Sequence, residues 1–572
     1  MFMGLFEVAG IVSILPFLSV AINKEIVFEN EYLNAIYNYL NFTNVDSFLF
    51  SLGVCVFIVL VANNVMSAFA TWRILRFSSI LNHTLSKKLL AKYVKQPYAF
   101  HLNRNSSELS KNILSEVGRA VVGVMLPVIH VISRIVVAMF IFGLLVVVEP
   151  LLALGVMFVL GGAYIGIYAI IKRKLATIGE ASSEENSARY KIVNESISGI
   201  KDIKLLGCEE TFIRQFTGPS KRFAGYYAAG QIYAQLPRYA LEMIAFGGVI
   251  FITLYLIQSK ENAEQALPLV ALYAFAGYRL LPSLQQIFLH VSTVRFHLSA
   301  LNIMHNDLEP EDVTCPSNDF NLTIDKRPAL SFQNRIELNE ISFSYPNSNN
   351  KIIDNLSITI KPNTTIGFIG ETGSGKTTLV DILLGLLSPS SGSFLVDGIS
   401  VISKDIALWQ KNLGYIPQSI YLTDDTITRN IAFGILPENI DINEVKRAAK
   451  IAKIHDFITD ELTDGYDSLV GERGVRLSGG QRQRIGIARS LYRDPKVLVL
   501  DEATSALDNA TENAVMDAIH TLSHKKTIIM IAHRLSTLKE CDVIYQMEKG
   551  RIVNHGEYSD LVTSNKSVMD LI

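Results

Sequence analysis

Charged residues are scarce in this sequence of 572 residues. They make up 19% of the chain against 49% hydrophobic residues, and the mean hydropathy is positive. A soluble protein usually carries more charge than this. The formal net charge is only −2. No overall field therefore favours nucleic acid as a partner.

Cysteine is also rare. The four cysteines, Cys55, Cys208, Cys315 and Cys541, lie far apart in the chain, and no CxxC motif or Cys/His cluster occurs. Disulfide frameworks and zinc sites need cysteines at short, characteristic spacings. We therefore expect neither, and interpret the four cysteines as reduced packing residues.

Long apolar runs are what the sequence has instead, and they are concentrated before Ser292. A transmembrane helix needs about 20 mostly apolar residues. Six stretches qualify: Met1–Ile22, Phe48–Trp72, Val121–Val148, Leu151–Ile171, Leu236–Gln258 and Ala266–Val291. The third and fourth meet at Glu149–Pro150, which indicates a tight hairpin. The pattern predicts a six-helix, all-α transmembrane domain.

Basic residues indicate the orientation of these spans. The segment Arg73–Arg119 contains nine Lys and Arg, and Lys172–Arg222 contains ten, whereas the opposite loops are short and mostly acidic. Positively charged loops stay in the cytoplasm, which predicts that both termini lie inside. Both segments are too long for simple loops. We expect helical stalks that break at Tyr98–Asn105 and near Tyr190–Gly199.

The start of the chain has an unusual pattern. No basic residue precedes Lys24, and neither the basic start nor the cleavage site of a signal peptide is present. The expectation is that the functional protein begins upstream of Met1, or that Met1–Ile22 inserts weakly.

The C-terminal part reads as an α/β domain. A polar, irregular stretch, Glu309–Pro328, is typical of a linker. The predicted domains are a transmembrane domain with cytoplasmic helical extensions at 1–305, a linker at 306–334 and an α/β domain at 335–572, whose motifs identify it below as a nucleotide-binding domain.

The strongest motif is Gly370–Thr377, which fits GxxxxGK[ST]. It follows the strand-like Thr365–Ile369 and opens an apolar helix. In that setting glycines let backbone N–H groups converge on phosphate oxygens, and the helix N-terminus favours negative charge. Lys376 is expected to reach the β- and γ-phosphates, and Thr377 to hold Mg²⁺ through its hydroxyl.

Two further motifs fall in the same domain. A strand-like run, Val497–Leu500, ends in Asp501 and Glu502. Asp501 can orient Mg²⁺, and Glu502 can polarise an attacking water. Between this motif and the first lies Leu477–Gln481, where Ser and Gly open a helix and form a second anion site. Paired acids or an SGG turn alone would be weak signals.

Together these motifs resemble the ATP-binding cassette (ABC) family, specifically its exporters, over essentially the whole chain. Five further positions match family markers in order: Tyr345 for stacking on adenine, Gln418 for sensing Mg²⁺ and the membrane domain, Glu472 for the exporter-type loop, Asp508 for the segment exchanged across the dimer, and His533 for contacting the γ-phosphate.

The resemblance implies a P-loop ATP-binding cassette fused to a type I exporter transmembrane domain, with ATP and Mg²⁺ as cofactors. The implied catalytic residues are Glu502, His533, Lys376 and Gln418, and the implied metal ligands are Thr377, Gln418 and Asp501. The implied ATP-binding residues are Tyr345, Gly370, Thr372, Gly373, Ser374, Gly375, Lys376, Thr377, Thr378, Ser478, Gly479, Gly480, Gln481 and Asp508.

In this family the signature of one cassette closes over the phosphate loop of another. This chain carries one of each, so the resemblance implies a homodimer as the simplest assembly, although a heterodimer with a similar chain stays open. Closure of the cassettes on ATP is expected to reach the helices through the stalk breaks near Phe100–Glu108 and Tyr190–Gly199, and hydrolysis resets the cycle.

Two features bear on the substrate. After the first span, Leu33, Ile36, Tyr37 and Leu40 have the one-face spacing of a short amphipathic helix, which could touch lipid tails or simply cap the bundle. Arg134, Arg238 and Arg279 lie in or beside apolar spans. Such residues usually face a partner or a wet cavity, and Arg238 could pair locally with Glu242.

The motifs Leu236–Glu242 and Tyr278–Ser283, with the outer helix, resemble one subgroup, the bacterial flippases of lipid-linked oligosaccharides in protein glycosylation. That resemblance implies the bacterial inner membrane and a lipid-linked glycan, with Arg238 and Arg279 on the substrate path. Export of another lipid, a drug or a peptide is an alternative, and an ATP-gated regulator or channel is an alternative of another class.

Overall fold

The computed structural model describes residues 13, 16–17, 19–21 and 24–564, apart from 149, 260–262, 310–326, 347, 349, 402–403, 503–508 and 533–537. Within helices it leaves the side chains of 255–259, 263–279, 509–511 and a few single positions outside the description. The chain divides into two compact units, Met1–Gln96 with His101–Thr314, and Pro97–Phe100 with Cys315–Ile572. The unit boundary after Thr314 falls inside the predicted linker.

The described residues of the N-terminal unit form helices joined by short turns. Two π-helical turns, Asn112–Glu116 and Val121–Met125, join the α-helices Ser106–Lys111, Val117–Ala120 and Leu126–Val148 into one continuous helix. The helices are α1 Ile26–Glu29, α2 Glu31–Tyr39, α3 Val45–Lys95, α4 Tyr98–Asn103, α5 Ser106–Lys111, α6 Val117–Ala120, α7 Leu126–Val148, α8 Pro150–Ser198, α9 Ile200–Leu206, α10 Glu209–Ser259 and α11 Ala263–Leu308.

Three helices among the described residues are long and apolar enough to cross a membrane: Val45–Lys95, Ser106–Val147 and Ala153–Ser198. They contain the second predicted span and nearly all of the third and fourth. The fifth and sixth predicted spans fall within α10 and α11, whose apolar parts include side chains that are not described. The first predicted span, Met1–Ile22, lies almost entirely outside the described residues. The expectation that it inserts weakly therefore stays a prediction.

Both stalk breaks occur in or beside the predicted ranges. The helix α3 ends at Lys95, just before the predicted break at Tyr98–Asn105, and most of that range forms the short helix α4, Tyr98–Asn103. The second break falls at Gly199, the last residue of the predicted range Tyr190–Gly199, because α8 continues through Ser198. A further break follows at Gly207, which adopts the left-handed conformation that glycine accommodates without strain.

The short outer helix α2 is present as predicted. Asn30 caps its N-terminus by accepting from the backbone N–H groups of Tyr32 and Leu33. Leu33 and Tyr37 are buried against Phe48 at the start of α3, which is the capping arrangement. The other side of the helix leaves Tyr32 and Tyr39 more than four-fifths exposed.

The C-terminal unit alternates strands and helices. Its strands are β1 Ile336–Phe343, β2 Ile353–Ile360, β3 Thr365–Ile369, β4 Ser391–Val396, β5 Ile399–Ser400, β6 Leu413–Ile416, β7 Val497–Asp501, β8 Thr527–Ile531, β9 Val543–Glu548 and β10 Arg551–Gly556. Its α-helices are α12 Lys376–Leu383, α13 Ile406–Gln410, α14 Ile427–Ile431, α15 Ile442–Ile451, α16 Gly479–Leu491, α17 Asn509–His520 and α18 Tyr558–Ser564.

Two sheets organise this unit. The larger has the order β10-β9-β3-β8-β7-β6, and its strands run parallel except for β10, which pairs antiparallel with β9. The smaller sheet, β2-β1-β4-β5, is antiparallel. All residues of β3, β7 and β8 are buried, as expected for parallel strands that are covered on both faces.

The larger sheet separates two hydrophobic cores. Along β7, Val497 and Val499 join a core that includes Leu379 and Leu383 of α12. The alternate residues Leu498 and Leu500 join another core, with Ile485, Ile487, Ala488 and Leu491 of α16. Because successive strand residues point to opposite faces, α12 and α16 lie on opposite faces of the sheet.

Candidate phosphate-binding and catalytic site

The carboxyl ends of four neighbouring strands form the site. The register pairs Ile531 of β8 with both Phe368 of β3 and Asp501 of β7, and pairs Leu500 with Ile416 of β6. The strands β3, β8, β7 and β6 therefore end side by side. The segments that follow them carry the phosphate loop, His533, the Asp501–Glu502 pair and Gln418, although residues 533–537 are outside the description.

The phosphate loop turns through glycine conformations that other residues rarely adopt. Gly370 has φ 150°, and a Cβ there would lie 2.2 Å from the Met547 carbonyl oxygen. Gly375 has φ 100° and is the residue before the first turn of α12. Only glycine fits both places. The loop thus connects the buried strand β3 directly to the N-terminus of α12.

Lys376 and Ser374 carry the polar groups of this loop. The Lys376 ammonium is buried and donates to the carbonyl oxygens of Gly370 at 2.6 Å and Glu371 at 3.0 Å. Burial lowers the pKa of Lys376, and the nearby Glu502 and Asp501 carboxylates oppose that shift. Ser374 is also buried, and its hydroxyl has no hydrogen-bond partner among the described residues. A phosphate oxygen fits such a donor set.

The acidic pair is held in two different environments. Asp501 is buried at the end of β7, where the Tyr415 hydroxyl donates to it. Glu502 has φ 48°, a conformation that non-glycine residues seldom adopt and that is often found at functional sites. Its Oε2 accepts from the Gln418 side-chain amide at 2.6 Å. The structure thus brings Gln418 and Glu502 together.

Asp381 and Tyr415 are site residues that the sequence did not single out. Burial, with a smaller contribution from the Asp501 charge, raises the pKa of Asp381 to about 6. Tyr415 begins the stretch that contains Gln418, and burial raises its pKa. Asp381 lies five residues after Lys376 in an apolar helix, so its isolated charge was the one available signal.

Tyr345, Thr377 and Thr378 lie at the mouth of the loop. The Tyr345 hydroxyl is 3.1 Å from the Thr378 hydroxyl, and its ring meets Phe343 edge-on. Thr377 is exposed, whereas the neighbouring Thr378 is buried. Thr372 and Gly373 of the loop are also exposed. An exposed Thr377 hydroxyl and a buried Asp501 carboxylate are the oxygen ligands that Mg²⁺ prefers.

The second anion motif forms the start of α16. The Ser478 hydroxyl accepts from the Gln481 backbone N–H, and the Gln481 side chain accepts from the Ser478 N–H, a reciprocal cap. The guanidinium of Arg482 donates to the carbonyls of Gly474 and Leu477 and fixes the preceding turn. Ser478 is exposed, and Gly479 and Gly480 are half-buried.

The predicted residues therefore separate into two groups. Lys376, Ser374, Asp501, Glu502 and Gln418 gather at one edge of the sheet. The Ser478–Gln481 motif belongs to a helix on the other face from α12. Asp508 and His533 lie outside the described residues, and Glu472 is exposed in a short 3₁₀ turn before the motif.

The predicted substrate-path arginines, Arg238 and Arg279, lie on neighbouring helices of the membrane unit, α10 and α11. Arg238 on α10 is exposed and pairs with Glu242 one turn on, at 2.7 Å, and Gln285 of α11 also donates to Glu242. The local pair considered from the sequence is thus present. Arg279 lies on α11, but its side chain is among those not described. Arg134 on α7 is half-buried.

Comparisons with known proteins agree with these features. A family model described as ABC transporter matches residues 353–505, and one described as ABC transporter transmembrane region matches residues 17–278. The chain superposes over its full length on 96% of a solved structure, a bacterial Atm1-family ABC exporter with ATP bound, with a TM-score of 0.80 at 23% identity. That likeness concerns the fold.

Curated relatives match over part of their length. An ATP-dependent lipid A-core flippase of Burkholderia orbicola is 32% identical over 396 residues, which is 68% of this chain and 64% of the relative. ABC transporter B family member 13 of Arabidopsis thaliana is 32% identical over 405 residues, which is 69% of this chain and 31% of that protein. The matched stretch thus spans less than two thirds of either relative.

Proposed function

The chain belongs to the ABC transporter family and has a type I exporter fold, and on that premise we propose that it is an ATP-driven flippase. It hydrolyses ATP to move an amphipathic lipid, preferentially a lipid-linked oligosaccharide, across the bacterial inner membrane. The observation that carries this proposal is the carboxyl edge of the larger sheet, where the phosphate loop, Asp501 and the Gln418–Glu502 pair meet in a chain that also has membrane-length apolar helices.

The chemistry follows from the residues at that edge. The Lys376 ammonium, the Ser374 hydroxyl and the N–H groups that open α12 bind the phosphates. Glu502 accepts a proton from the attacking water, which the Gln418 amide helps to orient. Mg²⁺, held through Thr377, Asp501 and Gln418, would neutralise phosphate charge. Lys376 and His533 stabilise the charge that develops during transfer, where fixed charges act most strongly.

A second copy of the chain completes each site. The Ser478–Gln481 motif and the phosphate loop belong to helices on opposite faces of one sheet, so the motif cannot close over the loop of its own chain. Two chains related by a two-fold axis bring each motif to the partner's loop, twice over. A homodimer is therefore the assembly we propose, with both cassettes in the cytoplasm.

The proposed cargo rests on the membrane unit. A pyrophosphate headgroup is costly to desolvate unless cations pair with it, and arginine binds phosphate oxygens in a fork. Arg238 is exposed on α10 despite its pair with Glu242, and a homodimer would double both Arg238 and Arg279. The exposed face of α2, with Tyr32 and Tyr39, offers an aromatic surface for the lipid tail.

Reconstitution tests the activity. The purified chain in liposomes that contain a polyprenyl-pyrophosphate glycan should expose the glycan to the far leaflet only when ATP is present. Glu502→Gln is the matched control and should expose none. ATP turnover without glycan movement would remove the proposed cargo and leave the alternatives of another lipid, a drug or a peptide. Ion flux gated by ATP, without lipid movement, would replace the flippase by a channel.

The arginines are tested by paired substitutions. Changing both Arg238 and Arg279 to Ala should stop glycan movement and leave basal ATP turnover within about threefold of wild type, because the cassette is untouched. Lys at both positions should retain part of the movement. Arg214→Ala is the control, since Arg214 forms the same i,i+4 pair with Glu210 on α10 outside the predicted span. Wild-type movement by a folded double Ala variant would contradict the role.

A further inference from the structure

A buried carboxylate near the end of α11 gathers partners from three other segments. Asp307 Oδ2 accepts from the Tyr93 hydroxyl at 2.5 Å and from the Asn112 side-chain amide at 2.8 Å, and its Oδ1 accepts from the Arg104 guanidinium at 2.9 Å. Asp307 is 9% exposed, Tyr93 is 4% exposed and Asn112 is 2% exposed. We call these four residues the Asp307 node.

The node encloses the first stalk break on both sides. Tyr93 lies at the end of α3, before the break, and Arg104 lies just after α4. Between them, Pro97–Phe100 groups with the C-terminal unit, although the chain on either side belongs to the membrane unit. Within the C-terminal unit, Ala99 packs against the core that contains α12. The node thus holds the two ends of a segment whose middle belongs to the cassette.

The same node holds the end of α11, from which the chain continues toward the cassette. Asp307 lies seven residues before the boundary at Thr314, and Lys92 also donates to the Glu309 carbonyl oxygen. Asn112 begins the π-helical turn Asn112–Glu116. Such turns insert one residue into a helix and are frequent at functional sites. Asp307 therefore joins the end of α11 to both sides of the first stalk break.

The hydrogen bonds of the Asp307 node hold its four residues in a fixed arrangement. The Arg104 bond is charge-assisted, and such hydrogen bonds are roughly twice as strong as neutral ones. Loss of the carboxylate removes the acceptor that Tyr93, Asn112 and Arg104 share, and removing the partner of a buried polar group costs more than the bond itself contributed. The four residues therefore resist separation by water. As a result, the node keeps the first stalk break and the end of α11 at a fixed position relative to each other.

We propose that Asp307 is a positioning residue that makes the first stalk break and the last turn of α11 move as one piece. This inference rests on the proposed function, because it concerns how cassette closure reaches the membrane helices. With the node intact, closure of the cassettes on ATP opens the outer ends of the helices. Without it, the cassettes still close and hydrolyse ATP, but the membrane helices no longer follow.

Spin-label distances measure the two movements separately and need no substrate. Labels at the exposed Asn38 on α2 report the outer side, and labels at the exposed Glu438 report the cassettes, in full-length protein in nanodiscs with the native cysteines replaced. Wild type with ATP and vanadate should show shorter cassette distances and longer outer distances. In Asp307→Ala the cassette change should persist, and the fraction of molecules that open outside should fall about tenfold, within the usual range of coupling between sites.

Two further variants separate positioning from general damage. Asp307→Asn keeps the shape of the side chain and removes its charge, so it should fold as wild type does and show an intermediate loss of outer opening. Glu309→Ala removes an exposed carboxylate two residues away, whose pair is His305, and should open as wild type does. Arg104→Ala combined with Asp307→Ala should lose no more opening than Asp307→Ala alone, because both act through one bond.

The outcomes distinguish this inference from the function on which it rests. Wild-type outer opening in Asp307→Ala, or an equal loss in Glu309→Ala, would overturn the role of Asp307 and leave the ATP-driven exporter intact. A wild-type protein whose cassettes do not close with ATP would overturn both. Cassette closure with selective loss of outer opening in the two Asp307 variants, at unchanged ATP turnover, supports the proposal.

Discussion

The cassette and the membrane unit use their apolar side chains in opposite ways. In the cassette, every residue of β3, β7 and β8 is buried. In the membrane unit, Phe158 is 85% exposed, while Lys111 and Glu116 are 3% and 1% exposed. The cassette buries its apolar strands, whereas the membrane unit presents apolar surface for lipid or a second copy to cover and buries a few of its charged side chains. The difference predicts where substitutions are costly.

The largest expected effect concerns the chemistry of the cassette. Glu502→Gln should reduce ATP turnover by about 10²–10⁴-fold, the usual range for loss of a general base, while ATP binding persists and a closed dimer accumulates. Lys376→Ala should instead weaken ATP binding, because it removes the buried ammonium from the phosphate loop. Phosphate release measures ATP turnover, and a fluorescent ATP analogue measures ATP binding. The two assays together distinguish Glu502→Gln from Lys376→Ala. Near-normal turnover by Glu502→Gln would refute the assignment.

A pair of phenylalanines tests the contrast directly. Phe368 on β3 is fully buried and stacks with Tyr545, so Phe368→Ala should cost about 3–5 kcal/mol of cassette stability. Phe158→Ala on α8 should change stability by about 0.5 kcal/mol or less. Thermal unfolding of both variants in nanodiscs measures the difference. Equal losses would mean that Phe158 is covered by protein rather than lipid.

The smallest expected effect concerns Asp381, where the cassette buries a charge. Burial raises its pKa to about 6, so the protonated form suits the folded state. Its contribution to stability is full below pH ~4 and is lost as the pH rises through about 6. Asp381→Asn should therefore be more stable than wild type at pH 8 by on the order of 1 kcal/mol after allowance for partial solvent screening, and thermal unfolding of both proteins across pH measures the difference.

The control for Asp381 is a carboxylate that faces water. Asp517 on α17 is exposed, and Asp517→Asn should leave the pH dependence of unfolding unchanged. A stability gap between Asp381→Asn and wild type that stays constant from pH 4 to pH 8 would contradict the assigned cause, since a packing effect would not follow the protonation of Asp381.

Sequence patterns were most informative where the contributing residues are neighbours in the chain. The phosphate loop and the Asp501–Glu502 pair were predictable because each is a short run next to a strand. The i,i+4 pair of Arg238 with Glu242 was foreseeable for the same reason. Strand ends then bring such runs together, since the carboxyl ends of neighbouring parallel strands share an edge.

Contacts between distant residues could not be predicted in this way. Asp307 meets Tyr93 across 214 positions and Asn112 across 195, and nothing in the local sequence of any of them indicates the other two. The sequence located the second stalk break only to a ten-residue range, because the polar stretch before Gly199 continues as helix to Ser198. The Gln418–Glu502 bond depends on the order of β6 and β7, which no motif specifies.

The placement of α12 and α16 on opposite faces of one sheet has a consequence for inheritance. In a dimer whose sites are shared, a chain that carries both a Lys376 and a Ser478 lesion spoils both sites, even beside a normal partner. The same two lesions divided between two chains fall within one site and leave the other whole. A Lys376 lesion on one chain and a Ser478 lesion on the other therefore leave one intact site, whereas both lesions on the same chain leave none. The two defects complement only when they lie on different copies of the protein.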